Sequence, residues 1–134
     1  STMNTPVIFD DAVAGVAYWL RTEMTDTTVI GQLVETRPAE FVLVRRAGGQ
    51  QATVTTERPL IIVESWAATD VAAHDLGQTC RAHCQRLRGQ TVDGLQFYRV
   101  AEVGGFVPLP DPASDQYRYT FLIEAHVRGA TFAP

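Results

Sequence analysis

The chain has 134 residues, 46% of them hydrophobic and 19% charged, values typical of a globular protein with a single core. Its formal net charge of −4 argues against a surface built mainly to bind nucleic-acid phosphates, because such a surface needs a basic face. No apolar run approaches the roughly 20 residues of a membrane span. We therefore expect one domain over residues 1–134, with a lead-in at 1–8, a tail at 129–134, and no contact with a membrane.

The N-terminal part of the sequence predicts one helix followed by two strands. Between about residues 10 and 24, apolar side chains recur at three- and four-residue steps, the period of an amphipathic helix, and Asp10 is placed to cap it. Residues 28–33 predict a weak strand, because Gly31 interrupts it. Residues 40–46 are rich in β-branched and aromatic side chains and predict a firm strand.

A polar, glycine-rich segment follows at residues 47–57, and we expect it to be a mobile, hairpin-like connection without regular structure, too long for a tight turn. Arg45, Arg46 and Arg58 stand at its two ends and give it a cationic base. Such a projection suits contact with an acidic partner or with nucleic acid passing nearby, and plain solvation of these arginines is an equal alternative. The next strand is predicted at residues 58–66.

The C-terminal half predicts a second helix at about residues 69–88, with a threonine at its N-cap position. After an Asp93–Gly94 turn, a strand is predicted at residues 95–103. Residues 104–116 contain three prolines, so we expect a rigid extended segment without regular structure. Residues 117–128 alternate between apolar and polar side chains and predict the longest strand, with one buried face.

This order of elements predicts an α+β domain. We expect a single, mainly antiparallel sheet of four or five strands, with both helices packed on one face. The strand at residues 117–128 would form the spine of that sheet.

Two cysteines on the second helix raise the question of a metal site. Zinc needs about four convergent ligands, and Cys80, His83 and Cys84 are close in sequence. His74, however, lies nearly two helical turns from Cys80, so convergence is poor. Burial of both thiols as small core side chains is the favoured interpretation, and we expect no metal.

Catalytic patterns are missing from the sequence. The acidic residues are scattered over predicted helix, strand and loop, and no nucleophile elbow, phosphate loop or dinucleotide-binding glycine pattern is present. We therefore expect a protein that is not an enzyme, without catalytic residues or a cofactor.

The two long irregular segments are the positive functional signal, because loops on a rigid sheet commonly carry function. The prolines of residues 104–116 would lower the entropy cost of docking on a neighbour. We therefore predict assembly contacts through both segments, made by Arg45, Arg46, Gln50, Gln51, Thr53, Thr55, Arg58, Phe106, Pro108, Leu109, Pro110, Asp111, Pro112 and Arg118.

The sequence as a whole resembles the small tail-terminator proteins of long-tailed, siphovirus-type bacteriophages, in particular those of actinobacterial phages. The resemblance covers nearly the whole chain and consists of many modest matches. The matching stretches are AVAGVAYWLR (12–21), RPAEFVLVRRAGG (37–49), RPLIIVESWA (58–67), VAEVGG (100–105), LPDP (109–112) and YRYTF (117–121).

This resemblance implies a structural virion protein that forms a homo-oligomeric ring, usually of six copies, on the head-proximal end of the tail tube. The ring would stop tube polymerisation and join the tail to the head–neck connector, and DNA would pass through its lumen without sequence-specific binding. The implied partners are further copies of the chain, the tail tube protein and the connector protein, with assembly in the host cytoplasm and no cofactor. A neck or head-completion connector protein is the alternative, and a small metal-binding or enzymatic domain is a third.

Overall fold

The computed structural model describes residues 11–51 and 56–128, with the side chains of Asp11, Gln50 and Gln51 left out of the description. The predicted lead-in at 1–8, the cap at Asp10 and the tail at 129–134 lie outside the described residues.

The described residues form two helices and seven strands, so the α+β class is confirmed and the expected strand number of four or five is too low. The elements are α1 (Asp11–Glu23), β1 (Thr28–Ile30), β2 (Phe41–Gln51), β3 (Thr56–Ala67), α2 (Asp70–Arg86), β4 (Gln90–Val92), β5 (Leu95–Glu102), β6 (Val107–Pro108) and β7 (Tyr117–Arg128).

All seven strands join one sheet in the order β1-β2-β3-β7-β5-β4, with β6 also paired to β7. Only the β1–β2 pair is parallel among the described strands, so the expected antiparallel character is confirmed. Strand β7 lies at the centre, between β3 on one side and β5 and β6 on the other. The prediction that residues 117–128 form the spine of the sheet is therefore confirmed.

Both helices pack on the same face of the sheet. Buried side chains of α1 and α2 form one apolar cluster with the inward-facing residues of the central strands, including Val63, Phe121 and Ile123. The indole Nε1 of Trp19 on α1 donates a 2.8 Å hydrogen bond to the carbonyl of His83 on α2, which joins the two helices. The predicted N-cap is also present, because the Thr69 side chain accepts a hydrogen bond from the amide of Ala72.

The β2–β3 hairpin is longer than the sequence predicts. β2 continues to Gln51 and β3 begins at Thr56, so the expectation of an irregular segment over residues 47–57 is wrong at 47–51 and at 56–57. The ladder tolerates the glycines because a register shift lies between Arg46 and Gly48. At Gly49, where φ is +117°, a Cβ would collide with the backbone of Arg58 and Pro59.

Two short strands were not expected from the sequence. β4 pairs with β5 through the predicted Asp93–Gly94 turn, in which both residues have positive φ, 52° and 83°, as a type I′ hairpin requires. β6 lies inside the proline segment, where Val107 pairs with Thr120 of β7, so residues 104–116 are not irregular throughout. Pro108 is tolerated because β6 is very short and pairs with β7 alone among the described strands.

Candidate assembly surface

The sheet face opposite the helices, called here the bare face, is covered by no helix of the described residues. β2, β3 and β7 present Phe41, Leu43, Trp66, Arg118 and Leu122 there, as strand alternation requires. The ring of Phe41 stacks on that of Trp66 with centroids 5.3 Å apart. A small apolar cluster thus lies on this face, separate from the core beneath the helices.

A buried carboxylate lies beside these aromatic rings. Glu64 is 1% exposed, and its Oε2 accepts hydrogen bonds from Nε and Nη2 of Arg45 at 3.3 and 3.2 Å. Its Oε1 accepts one from the indole Nε1 of Trp66 at 3.1 Å and lies 3.5 Å from Nη1 of Arg118. A buried charge is tolerated when it is paired and hydrogen-bonded, and Glu64 satisfies both conditions.

Two arginines lie over the Trp66 ring. The guanidinium carbons of Arg37 and Arg118 lie 4.9 and 4.8 Å from the ring centroid, within the range of a cation–π contact. Arg118 also donates to the carbonyl oxygens of Leu109 and Pro110 at 2.9 and 3.3 Å. Arg118 therefore connects the central strand, the buried carboxylate and the proline segment.

The proline segment folds back on its own domain. Phe106 stacks on Tyr119 with centroids 5.1 Å apart, and the guanidinium of Arg81 lies 4.9 Å from the Phe106 ring centroid. Gly77 of α2 makes room for this ring, because a Cβ there would approach it to 2.5 Å and the Ser65 hydroxyl to 2.8 Å. Phe106 is half-buried, so it acts mainly as an anchor of the segment within this chain.

The turn at Asp111 is stabilised by local hydrogen bonds. The Ser114 hydroxyl and the Ala113 amide donate to the Asp111 carboxylate, and these bonds hold the pKa of the carboxyl below its usual range. Gln116 then accepts a hydrogen bond from Nε of Arg37 at 3.0 Å. The base of the segment is thus tied to the loop between β1 and β2.

An apolar groove remains between the proline segment and β2. It has a volume of about 290 Å³ and is lined by residues that include Ile62, Leu109 and Leu122. Val107 and Leu109, on its rim, are 48% and 37% exposed. Pro108, Pro110 and Pro112 are also exposed, so the segment presents a preformed surface to solvent.

Of the predicted contact residues in the β2–β3 hairpin, two arginines form ion pairs within this chain and one does not. Arg45 pairs with Glu64, and Arg46 forms an ion pair with the buried Glu57 and donates to the Gly48 carbonyl. Arg58 is exposed, with no side-chain partner among residues 11–51 and 56–128. Only the backbones of Gln50 and Gln51 are described, and the prediction for Thr53 and Thr55 lies outside the described residues.

The cysteines lie in the core, as predicted. Cys80 and Cys84 are 0% and 2% exposed, and the Sγ of Cys80 lies 3.9 Å from the Sδ of Met24. Burial, followed by the charge of Glu102, raises the pKa of the Cys84 thiol to about 12. In the part of the chain that the structure describes, no group of three or more His, Cys, Asp or Glu side chains could hold a metal ion.

The structure brings together residues that the sequence leaves apart. Of the predicted contact residues, Arg45 and Arg118 converge on Glu64, whereas Arg58 stands apart from them. The sequence did not predict that Glu64 and Trp66 form the centre of this cluster on the bare face. Their i, i+2 spacing on one strand places both on one face, which is the signal that could have revealed them.

No helix within the described ranges combines the length and apolar character that crossing a membrane requires.

Comparisons of the sequence found no matching family model and no matching curated protein. The fold, in contrast, is similar to that of a chain in a solved structure described as the virion of a native gene transfer agent particle, with a TM-score of 0.61. The two chains are 13% identical, and the similarity covers 87% of this chain and 93% of that one. At this identity the comparison shows a shared fold.

Proposed function

We propose that this chain is a structural virion protein that forms a ring on the head-proximal end of a phage-like tail tube and stops its polymerisation. One observation carries the proposal: the fold matches a chain of a gene transfer agent virion over nearly the full length of both chains. A match of that extent supports the proposal through the fold of the whole domain and not through one motif. The resemblance of the sequence to phage tail terminators supports the same class.

The described surface suits an assembly role. A closed ring requires a heterologous interface, in which two different patches of the same chain meet. The bare face and the exposed rim of the proline segment, with Val107 and Leu109, offer such patches on a rigid sheet. The buried Glu64 and the stacked Phe106 hold these surfaces in place, so docking would cost little ordering entropy.

The test is a measurement of tube length. Tail tube protein of the same virion is polymerised with and without this chain, and tube lengths are measured by negative-stain electron microscopy. We expect substoichiometric amounts to arrest elongation, with rings visible at one end of the tubes. Unaltered tube lengths would overturn the terminator role.

The connector alternative gives a different result in the same preparation. A neck or head-completion protein would bind DNA-filled heads and leave tube growth unchanged. Incubation with purified heads and with tubes, followed by sedimentation of each, separates the two roles, because a terminator sediments with tubes before heads are added.

A further inference from the structure

Four arginines have no side-chain partner in the described ranges, and all are exposed. The eleven basic residues of the chain are all arginines, and most are engaged by a carboxylate, as in the Arg81–Glu102 and Arg86–Glu23 ion pairs. Arg21 instead donates to the Val29 carbonyl. The remaining four lack any ion pair or side-chain hydrogen bond to residues 11–51 and 56–128: Arg58, Arg88, Arg99 and Arg128.

Three of these arginines lie together on the bare face. Strand register aligns Arg99 of β5 with His126 of β7, and Arg58 of β3 lies across from His126 on the other side. Arg128 follows two residues later on β7, and therefore on the same face. We call Arg58, Arg99 and Arg128 the arginine patch.

The arginine patch lacks compensation within the described chain. The carboxylate that lies two residues from His126 on the same face of β7 is that of Glu124. Its Oε1 already lies 3.1 Å from Nε2 of His126, within hydrogen-bond distance. Like charges close together on a sheet face repel one another and lower stability. An acidic surface that covers the patch would relieve this repulsion.

The opposite end of the domain has that acidic character. There, Asp26, Glu40 and Asp75 line a cleft of about 490 Å³ between the end of α1 and the start of α2. A second cleft of about 660 Å³ is lined by Asp70 and Asp115, among others. We call these five residues the acidic end.

Two carboxylates of the acidic end have partners in this chain: Asp75 lies 3.2 Å from Nδ1 of His74, and Asp70 accepts a hydrogen bond from the Tyr119 hydroxyl at 2.9 Å. The other three are not neutralised by a neighbouring cation of the described residues. Asp26, Glu40 and Asp115 are exposed, with no side-chain partner in the described part of the chain. Arg118 itself lines the second cleft, and Arg37 lies 4.0 Å from Asp111 of its lining, but both arginines are also engaged by Trp66 and by other groups of this chain.

We propose that the arginine patch of one copy docks on the acidic end of the next copy, which gives the heterologous contact that closes the ring. The inference rests on the proposed ring and identifies the surfaces that join its subunits. The two ends are far apart: β2 alone, which runs from beside Glu40 to the hairpin tip, has eleven residues and spans about 35 Å. The acidic end of a copy therefore cannot reach the arginine patch of the same copy, whereas the acidic end of a neighbour can.

A second copy explains more than nucleic acid does. DNA would cover the arginine patch but would be repelled by the acidic end and by the net charge of −4. Self-docking uses both charged ends of the same chain and needs no other component. DNA binding by the arginine patch is accordingly an outcome that the test must distinguish.

The test is a charge swap between the two surfaces. One variant carries Arg58→Glu and Arg99→Glu, and the other carries Asp26→Arg and Glu40→Arg; all four positions are exposed, so both variants should fold. Self-association is measured by sedimentation velocity over about two decades of protein concentration. We expect each variant alone to reach half-maximal self-association only at a protein concentration at least about tenfold higher than the unaltered chain requires. A 1:1 mixture of the two variants should associate at a concentration close to that of the unaltered chain.

The control is a pair of charge changes away from both surfaces. Ala82→Arg with Gln85→Arg adds positive charge to exposed positions of α2. Mixing this variant with the Arg58→Glu, Arg99→Glu chain should not restore self-association. Three results would overturn the proposal: an unaltered chain that stays monomeric, variants that associate normally, or a mixture that recovers nothing. Loss of binding to duplex DNA in the arginine variant, with unchanged self-association, would overturn it in favour of nucleic acid.

Failure of this inference is distinguishable from failure of the proposed function. Arrest of tube growth by the unaltered chain depends on the virion role alone. A successful charge swap without tube arrest would keep the interface and remove the terminator role, and the reverse result would remove only the interface.

Discussion

The two faces of the sheet are built on different principles. The face under the helices is closed by an apolar cluster that includes Phe121 and Ile123, both 2% exposed. The bare face is held by a buried carboxylate, the arginines bound to it and two stacked aromatic rings. The helix-covered face thus stabilises the fold through apolar burial, whereas the bare face combines a buried ionic and aromatic cluster with exposed arginines farther along the strands.

The largest effect is expected on the helix-covered face. Phe121→Ala would remove a ring that packs in the core beside Phe106 and leave a cavity, at a cost of about 3–5 kcal/mol in the free energy of unfolding. Urea denaturation measures this loss. Thr120→Ala is the matched control on the same strand, and its half-exposed side chain points to the bare face. Equal losses in the two variants would contradict the proposed difference between the faces.

A smaller but still large effect is expected at the centre of the bare face. Glu64→Ala would leave the buried indole N–H of Trp66 without its acceptor and would remove the carboxylate beside Arg118, which keeps only the carbonyl oxygens of Leu109 and Pro110. We expect a loss of about 3 kcal/mol in the free energy of unfolding. Arg45 moderates the effect, since 47% of its side chain remains exposed to water. Glu64→Gln should recover part of the loss because the amide oxygen can still accept from Trp66.

The control for this variant is Glu124→Ala on the same face. Glu124 is 37% exposed, and its removal should change the free energy of unfolding by no more than about 0.5 kcal/mol. If Glu64→Ala were as mild as Glu124→Ala, the buried ionic cluster would have no structural role.

Local patterns in the sequence predicted much of the helix-covered face. The alternation over residues 117–128 marks β7 to the residue, and the threonine before α2 marks its N-cap, because both signals lie within one element. The hairpin arms at residues 47–51 and 56–57 were missed, since their glycines and polar side chains disfavour a strand until β2 and β3 pair.

The bare face could be predicted less well, because its organisation comes from contacts between elements. Arg45, Glu64 and Arg118 belong to three strands, and no spacing in the sequence shows that they meet. Phe106 similarly needs the space left by Gly77, which is 29 positions earlier in the chain. The proline segment was predicted as an arm towards a neighbour, whereas much of it is fixed on its own domain first.

The smallest effect on stability is expected at the arginine patch, and it separates arginines that hold this domain together from those that do not. The double change Arg58→Gln and Arg99→Gln should alter the free energy of unfolding by less than about 0.5 kcal/mol, because neither side chain has a partner in the described chain. Arg81→Gln is the matched comparison: it removes the 2.7 Å bond to Glu102 and the contact with Phe106, at a cost of about 1 kcal/mol. Thermal and urea unfolding of the unaltered chain, the double variant and Arg81→Gln measure these free energies. A loss above about 1 kcal/mol in the double variant would mean that Arg58 and Arg99 stabilise the single domain. Stability that stays the same while self-association weakens is the behaviour of side chains that serve only the contact between copies.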